Sequence, residues 1–457
     1  MKKKDEIEEL DDVIIDDEVL DDETDNLEEE VIEEPIAKGK PAKKVKSRLS
    51  KGAKTGIICA GAAVGVIAVV LVVLLAILPA MGIQVFKKSF VYSYDGPTEV
   101  TADLYYDPTA SYGLYFYGPN HNSDYDHMTA SDVDMIRATT SLSTDYFDPS
   151  KPTIIWFHGW ESTGSVGDRY LMVGDATHSK FPSNTTNYAH ELRAKGYNVA
   201  TFQFQGVAPS DQNYAKNLPK IFQYTVESFD KGEYSLSFMF ASEVAAVFGE
   251  DYEQDITFVG HSCGSFVATA TDYMLQTFYY TKKITNEHLI ANRLILEDPY
   301  VSTLGDKAPE RLMGTNESLK DRKKCDIVQD MIFTLHNQCK VAVDVYLGMT
   351  GASDAFIEPS SHYNKVKSCV AIVDMTGMKT WLGSALGDIH VLTRDWVWSS
   401  MISETLKDQD GNLAPSAACT YEEMLGFAGR LYQQNYEGLD LSQDSLKRVP
   451  NTKGFIN

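Results

Sequence analysis

Ser262 stands where a serine can be made nucleophilic. It is the centre of Gly260-His-Ser-Cys-Gly264, preceded by the β-branched and aromatic run Ile256–Val259 and followed by Ser265–Tyr280, which contains neither Pro nor Gly. That order predicts a strand, a tight turn and a helix, with a glycine on each side of the serine where a side chain would collide with neighbouring backbone. A serine hydroxyl is a weak nucleophile, so the chemistry needs a histidine base within hydrogen-bond reach and a carboxylate that holds its tautomer. From such an elbow the acid and then the histidine follow in the chain. Of the ten histidines, His288, His336, His362 and His390 come after Ser262, and only His390 follows the last expected sheet strand, in a loop ahead of a helix. Two acids compete. Asp298 sits just past the strand after the elbow, and Asp354, in Gly351-Ala-Ser-Asp-Ala-Phe-Ile-Glu-Pro359, sits past the strand after that. Acyl transfer also needs donors for the oxyanion, which points to the main-chain N–H groups of Cys263 and of Trp160, the latter just beyond His158-Gly159. His158 and His261 read as structural, packing or hydrogen-bonding residues rather than proton carriers.

These groups need a rigid frame, and the pattern around them supplies one. Strands are expected at the run before His158, at Asn198–Phe204, Ile256–Val259, Arg293–Leu296, Val341–Leu347 and Cys369–Val373, the last two closing the sheet. Helices are expected over Tyr188–Lys195, Ser235–Phe248, Ser265–Tyr280, near Ile327–Leu335, over Leu392–Met401 and near Tyr421–Tyr432. Strand alternating with helix argues for parallel βαβ units. Residues 89–120, rich in Tyr between Gly, Pro and Asp turns, predict short antiparallel strands. The polar stretch 301–340 is expected to hold a lid over the site. Cys325 and Cys339 could close a disulfide loop or be two free buried thiols.

The first 87 residues carry other information. Residues 1–37 hold eighteen Asp and Glu against three Lys, too polar to bury a core, so they predict a disordered tail. Lys38–Lys54 then has eight Lys or Arg and no acid, so that 1–54 is acidic and then basic. Residues 55–78 are 24 uncharged, mostly apolar residues, enough at about 1.5 Å each to cross a hydrocarbon core of about 30 Å. A signal-anchor transmembrane helix is expected there, with the tail cytoplasmic and residues 88–457 outside the cell as a single-pass membrane protein. The net charge of −24 divides as −15 for 1–37, +8 for 38–54 and −17 for the rest, which argues against nucleic acid as a partner of the outer part.

Phe147-Asp-Pro-Ser-Lys-Pro-Thr-Ile-Ile-Trp-Phe-His-Gly-Trp160, Gly260-His-Ser-Cys-Gly264 and Arg293-Leu-Ile-Leu-Glu-Asp-Pro299 together resemble the pancreatic-lipase-like family of α/β-hydrolases. The resemblance covers roughly 130–400. It implies an α/β-hydrolase fold, a mostly parallel central sheet with helices on both faces. It carries the acid to Asp298, in a Leu-x-Asp-Pro-like segment, and the base to His390, in His390-Val-Leu-Thr-Arg-Asp-Trp396. Three departures stand beside it: Cys263 follows the serine, the gap from Ser262 to Asp298 is long, which keeps Asp354 as the alternative acid, and a C-terminal β-sandwich is missing. The combined expectation is a membrane-anchored serine hydrolase of lipid or acyl esters that needs neither metal nor organic cofactor. A peptidase or acyltransferase on the same triad, and a non-catalytic surface protein on a hydrolase fold, are the alternatives.

Overall fold

Short runs of Val, Ile and aromatic residues between polar turns build the sheet. The computed structural model describes residues 96–121, 133–159, 187–204, 221–227, 234–301, 308–348, 366–375, 386–435 and 445–448. Among them are ten strands: β1 Gly113–His121, β2 Val133–Arg137, β3 Thr153–Phe157, β4 Asn198–Gln203, β5 Ile256–His261, β6 Arg293–Glu297, β7 Ala342–Leu347, β8 Val370–Asp374, β9 Leu431–Asn435 and β10 Ser445–Arg448. They form one sheet in the order β10-β9-β8-β7-β6-β5-β3-β4-β1-β2. From β4 through β9 every neighbour is parallel, while β1, β2 and β10 run antiparallel to theirs. All five residues of β3 are buried, as parallel strands covered on both faces require.

Among the described residues, the helices that supply that cover include α1 Tyr188–Ala194, α2 Leu236–Phe248, α3 Cys263–Tyr280, α4 Lys324–Cys339, α5 Leu386–Ile402 and α6 Tyr421–Phe427. The pleat divides the core in two. Ile155 and Phe157 of β3 join Phe238 of α2, Phe266 of α3 and Ile327 of α4 in one cluster, and Ile154 and Trp156 join Leu192 of α1, Trp396 of α5 and Met424 of α6 in the other. Trp156 and Trp398 meet edge to face, with ring centroids 6.2 Å apart. No helix among the described residues is long and apolar enough to cross a membrane. The expected tail 1–54 and span 55–78 lie outside the described residues.

Several expectations are corrected. Sheet strands do not end at β8: the helix expected through Tyr432 stops at Phe427, and Gly429, at φ +82°, turns the chain into β9. Of 89–120, only Gly113 onward forms a strand among the described residues, with Val100 making one isolated bridge to Thr315. The lid expected over 301–340 does not include its C-terminal part. There α4 is the crossover helix between β6 and β7, and Ile327, Val328, Met331, Ile332 and Leu335 are fixed in the core; residues 302–307 lie outside the described residues. Cys325 and Cys339 open and close that same helix, about 20 Å apart at 1.5 Å per residue, far beyond disulfide reach, and both are free thiols.

One buried carboxyl gives a test of stability. Asp272, on α3, is fully buried; its Oδ1 accepts the Ala291 N–H at 2.8 Å, and its Oδ2 meets no hydrogen-bond partner among the described residues. Burial pushes its carboxyl well above the ordinary 3.8, against the smaller pull of that amide. The folded chain therefore keeps a proton that the unfolded chain releases above 3.8, and Asp272 weakens stability increasingly as pH rises from there. Asp272→Asn keeps the acceptor without this cost. In urea titrations the variant is expected to be more stable than wild type at pH about 7, with the gap closing toward pH about 4. A gap of equal size at both pH values would contradict this.

Candidate active site

The elbow is held by main-chain hydrogen bonds and by the space its two glycines leave. Ser262 joins β5 to α3 at φ +55° and ψ −126°, a conformation that stores about 1–3 kcal/mol in a residue other than glycine. Its N–H donates to the Glu297 carbonyl at 2.9 Å, and its carbonyl accepts the N–H groups of Ser265 and Tyr300, both at 3.1 Å. The flanking glycines are there for space. A Cβ on Gly260 would lie 2.6 Å from the Ser265 Cα, and one on Gly264 would lie 2.2 Å from the Phe157 carbonyl oxygen. The turn also puts the Cys263 amide at the positive end of an 18-residue helix.

Asp298 leaves β6 in a second strained position, φ +41°. Its N–H donates to the Tyr346 carbonyl at 2.7 Å, and the Gly348 N–H donates to its Oδ1 at 2.9 Å. Its other oxygen, Oδ2, lies 2.6 Å from His390 Nδ1, with the carboxylate wholly buried and the imidazole mostly so. A carboxylate can only accept here, so Nδ1 carries the proton and Nε2 is left as the basic nitrogen. His390 was expected in a loop heading a helix. It instead lies within α5, whose later residues Trp396, Val397 and Trp398 anchor it in the core. The stretch from Ile389 to Ile402 contains no Pro or Gly to stop a helix short of the histidine.

His390 sits beside the elbow. The ring of His261, one residue before Ser262, packs on His390 with centroids 4.4 Å apart, and its Nε2 donates to the His390 carbonyl at 3.1 Å. His261 is driven well below the ordinary histidine range, first by burial and then by the neighbouring His390. Gly159 closes the other side, where a Cβ would lie 2.8 Å from His261 Nδ1 and 3.3 Å from the Ser262 Cβ. His158 is held by its own neighbours. Its Nε2 accepts the Phe204 N–H at 3.2 Å, its Nδ1 donates to the Gly159 carbonyl at 2.7 Å, and its ring stacks on Phe204 at 3.9 Å.

The structure thus brings Ser262, Cys263, Asp298, His390 and Gly159 to the carboxyl ends of β3, β5 and β6. Trp160 and Asp354, the expected second oxyanion donor and the alternative acid, lie outside the described residues. Sequence reasoning missed the Gly348 N–H and the Glu297 and Tyr346 carbonyls. Main-chain groups that act across strands leave no residue-type signal.

A parallel block ordered β4-β3-β5-β6-β7-β8, with a serine at the sharp turn after β5 and an acid after β6, has a familiar plan. It is that of an α/β-hydrolase.

No protein-family model and no curated protein matches the chain. Solved structures do. The thioesterase domain from the curacin biosynthetic pathway is 14% identical, with 54% of this chain and 91% of that chain covered, at a TM-score of 0.24. Est1E from Butyrivibrio proteoclasticus with ferulic acid bound is 14% identical over 56% of this chain and 92% of that one, at a TM-score of 0.26. A lipase/esterase from Lactobacillus plantarum is 13% identical over 60% and 96%, at a TM-score of 0.22. At these scores the likeness carries no weight, and the fold rests on strand order and the elbow.

Proposed function

We infer that this chain is a serine hydrolase of carboxylic esters, working through an acyl group on Ser262. The observation that carries the reading is the 2.6 Å contact between His390 Nδ1 and the buried Asp298, on an imidazole packed beside the elbow. In this mechanism His390 Nε2 takes the Ser262 proton as Oγ attacks the ester carbonyl, and Asp298 stabilises the imidazolium that forms. The Cys263 N–H, at the start of α3, donates to the oxyanion, and the Trp160 N–H is the second donor. The imidazolium then protonates the leaving alcohol, and water releases the acyl group by the reverse sequence.

The finer parts of the proposal rest on sequence. The three motifs support a pancreatic-lipase-like enzyme, and with it a lipid or acyl ester substrate. The uncharged run 55–78 behind a basic cluster supports a single membrane anchor with the hydrolase domain outside the cell. A panel of ester, thioester and amide substrates of graded acyl length tests the reaction class. Ester turnover well above amide turnover is expected, and amide cleavage without ester cleavage would overturn the reading.

A further inference from the structure

A catalytic histidine on a helix needs its backbone held against the nucleophile, because α5 comes to the site from the opposite face of the sheet to α3. Besides Asp298, the side chain of His261 reaches across that gap. His261 ends β5, is 7% exposed, and is wedged between the His390 ring at 4.4 Å and the Gly159 backbone. The carbonyl it contacts can only accept, so Nε2 carries the proton, and the neutral ring leaves Nδ1 bare on the Gly159 side. A backbone carbonyl has two lone pairs, so that of His390 can serve the helix and His261 together.

We propose that His261 is a positioning residue, whose Nε2–H to the His390 carbonyl fixes the register of α5 and so aims His390 Nε2 at Ser262. Its hydrogen bond goes to the main chain of His390 and not to the nitrogens of that ring. It acts on the base through the main chain, whereas Asp298 acts through the ring, so His390 is held at two points on two strands, β5 and β6. The geometry also calls for a ring that stays neutral. A cation at His261 would stand against the imidazolium that His390 becomes during turnover, and burial together with His390 itself opposes that charge.

The inference rests on the hydrolase reading and is tested with a pair of variants of similar length. H261Q keeps an N–H that can reach the carbonyl; H261M fills the same space without one. Misplacing a catalytic group by about 1 Å can cost about 10²-fold. H261M is therefore expected to lose about 10- to 100-fold in kcat with KM little changed, and H261Q to recover most of that loss. The downfield proton resonance of His390 Nδ1–H is expected to stay in place in H261Q and to shift or broaden in H261M. Equal kcat values for the two variants, with the resonance unmoved, would overturn the proposal. Should H261M not fold, H261N replaces it, since its amide is one methylene shorter; wild-type turnover in H261N would overturn the proposal equally. A wild type without ester turnover would instead defeat the hydrolase reading, and this inference with it.

Discussion

Ser262→Ala is expected to lower ester kcat by about 10⁶-fold while leaving the melting temperature close to that of wild type. The size follows from position. Ser262 Oγ is the atom that forms the acyl bond, so removing it leaves only substrate binding and the oxyanion donors, which in such sites retain about 10³–10⁴-fold over water. Stability should change little, because the elbow is held through the Ser262 backbone, by Glu297, Ser265 and Tyr300, and not through its hydroxyl. Steady-state kinetics on a chromogenic short-chain ester, with a thermal melt of the same preparations, checks both halves. An alanine variant that turns over ester within about tenfold of wild type would remove Ser262 from the chemistry.

Asp298→Asn is expected to cost about 10⁴-fold in kcat. The carboxylate accepts the His390 Nδ1 proton at 2.6 Å, which leaves Nε2 free as the base. An asparagine amide can donate to Nδ1 instead; the ring then takes the other tautomer, with its proton on Nε2, and the base is lost although packing is preserved. The Gly348 N–H, which Asp298 Oδ1 receives at 2.9 Å, still finds an acceptor in the asparagine carbonyl, so the fold should survive. Asp354→Asn is the paired control and is expected to stay within about twofold, because the His390 Nδ1 contact is already made by Asp298. Kinetics on both variants decides the acid: a large loss at Asp354 with little at Asp298 would reverse the assignment.

Much of this site can be read from residue order. The elbow announces itself because Gly260 and Gly264 are demanded by contacts of 2.6 and 2.2 Å, and such demands fix residue types. Strands β3 to β8 are legible for a related reason: burial on both faces leaves only runs such as Thr153-Ile-Ile-Trp-Phe157. Asp298 is less legible than Ser262. Its role depends on a backbone at φ +41° and on the Gly348 amide fifty residues away, and local spacing alone left it level with Asp354. β9 was hidden because Leu431-Tyr-Gln-Gln-Asn435 has no strong strand pattern and is extended by pairing with β8. The Cys325 and Cys339 spacing suggested a loop because it counts residues and not geometry, whereas the helix between them separates the thiols. His390 was singled out by elimination among four histidines, but its helical setting, and the reach of His261 to its carbonyl, come only with the tertiary structure.

Fluorophosphonate labelling of the folded wild-type chain, with the adduct mapped by mass spectrometry, tests the central claim most directly. The probe reacts with a serine only when a base has activated it. The expected result is one adduct, on Ser262, absent in Ser262→Ala and strongly slowed in Asp298→Asn. A folded wild type that takes no label, or takes it on another residue, would contradict the assignment.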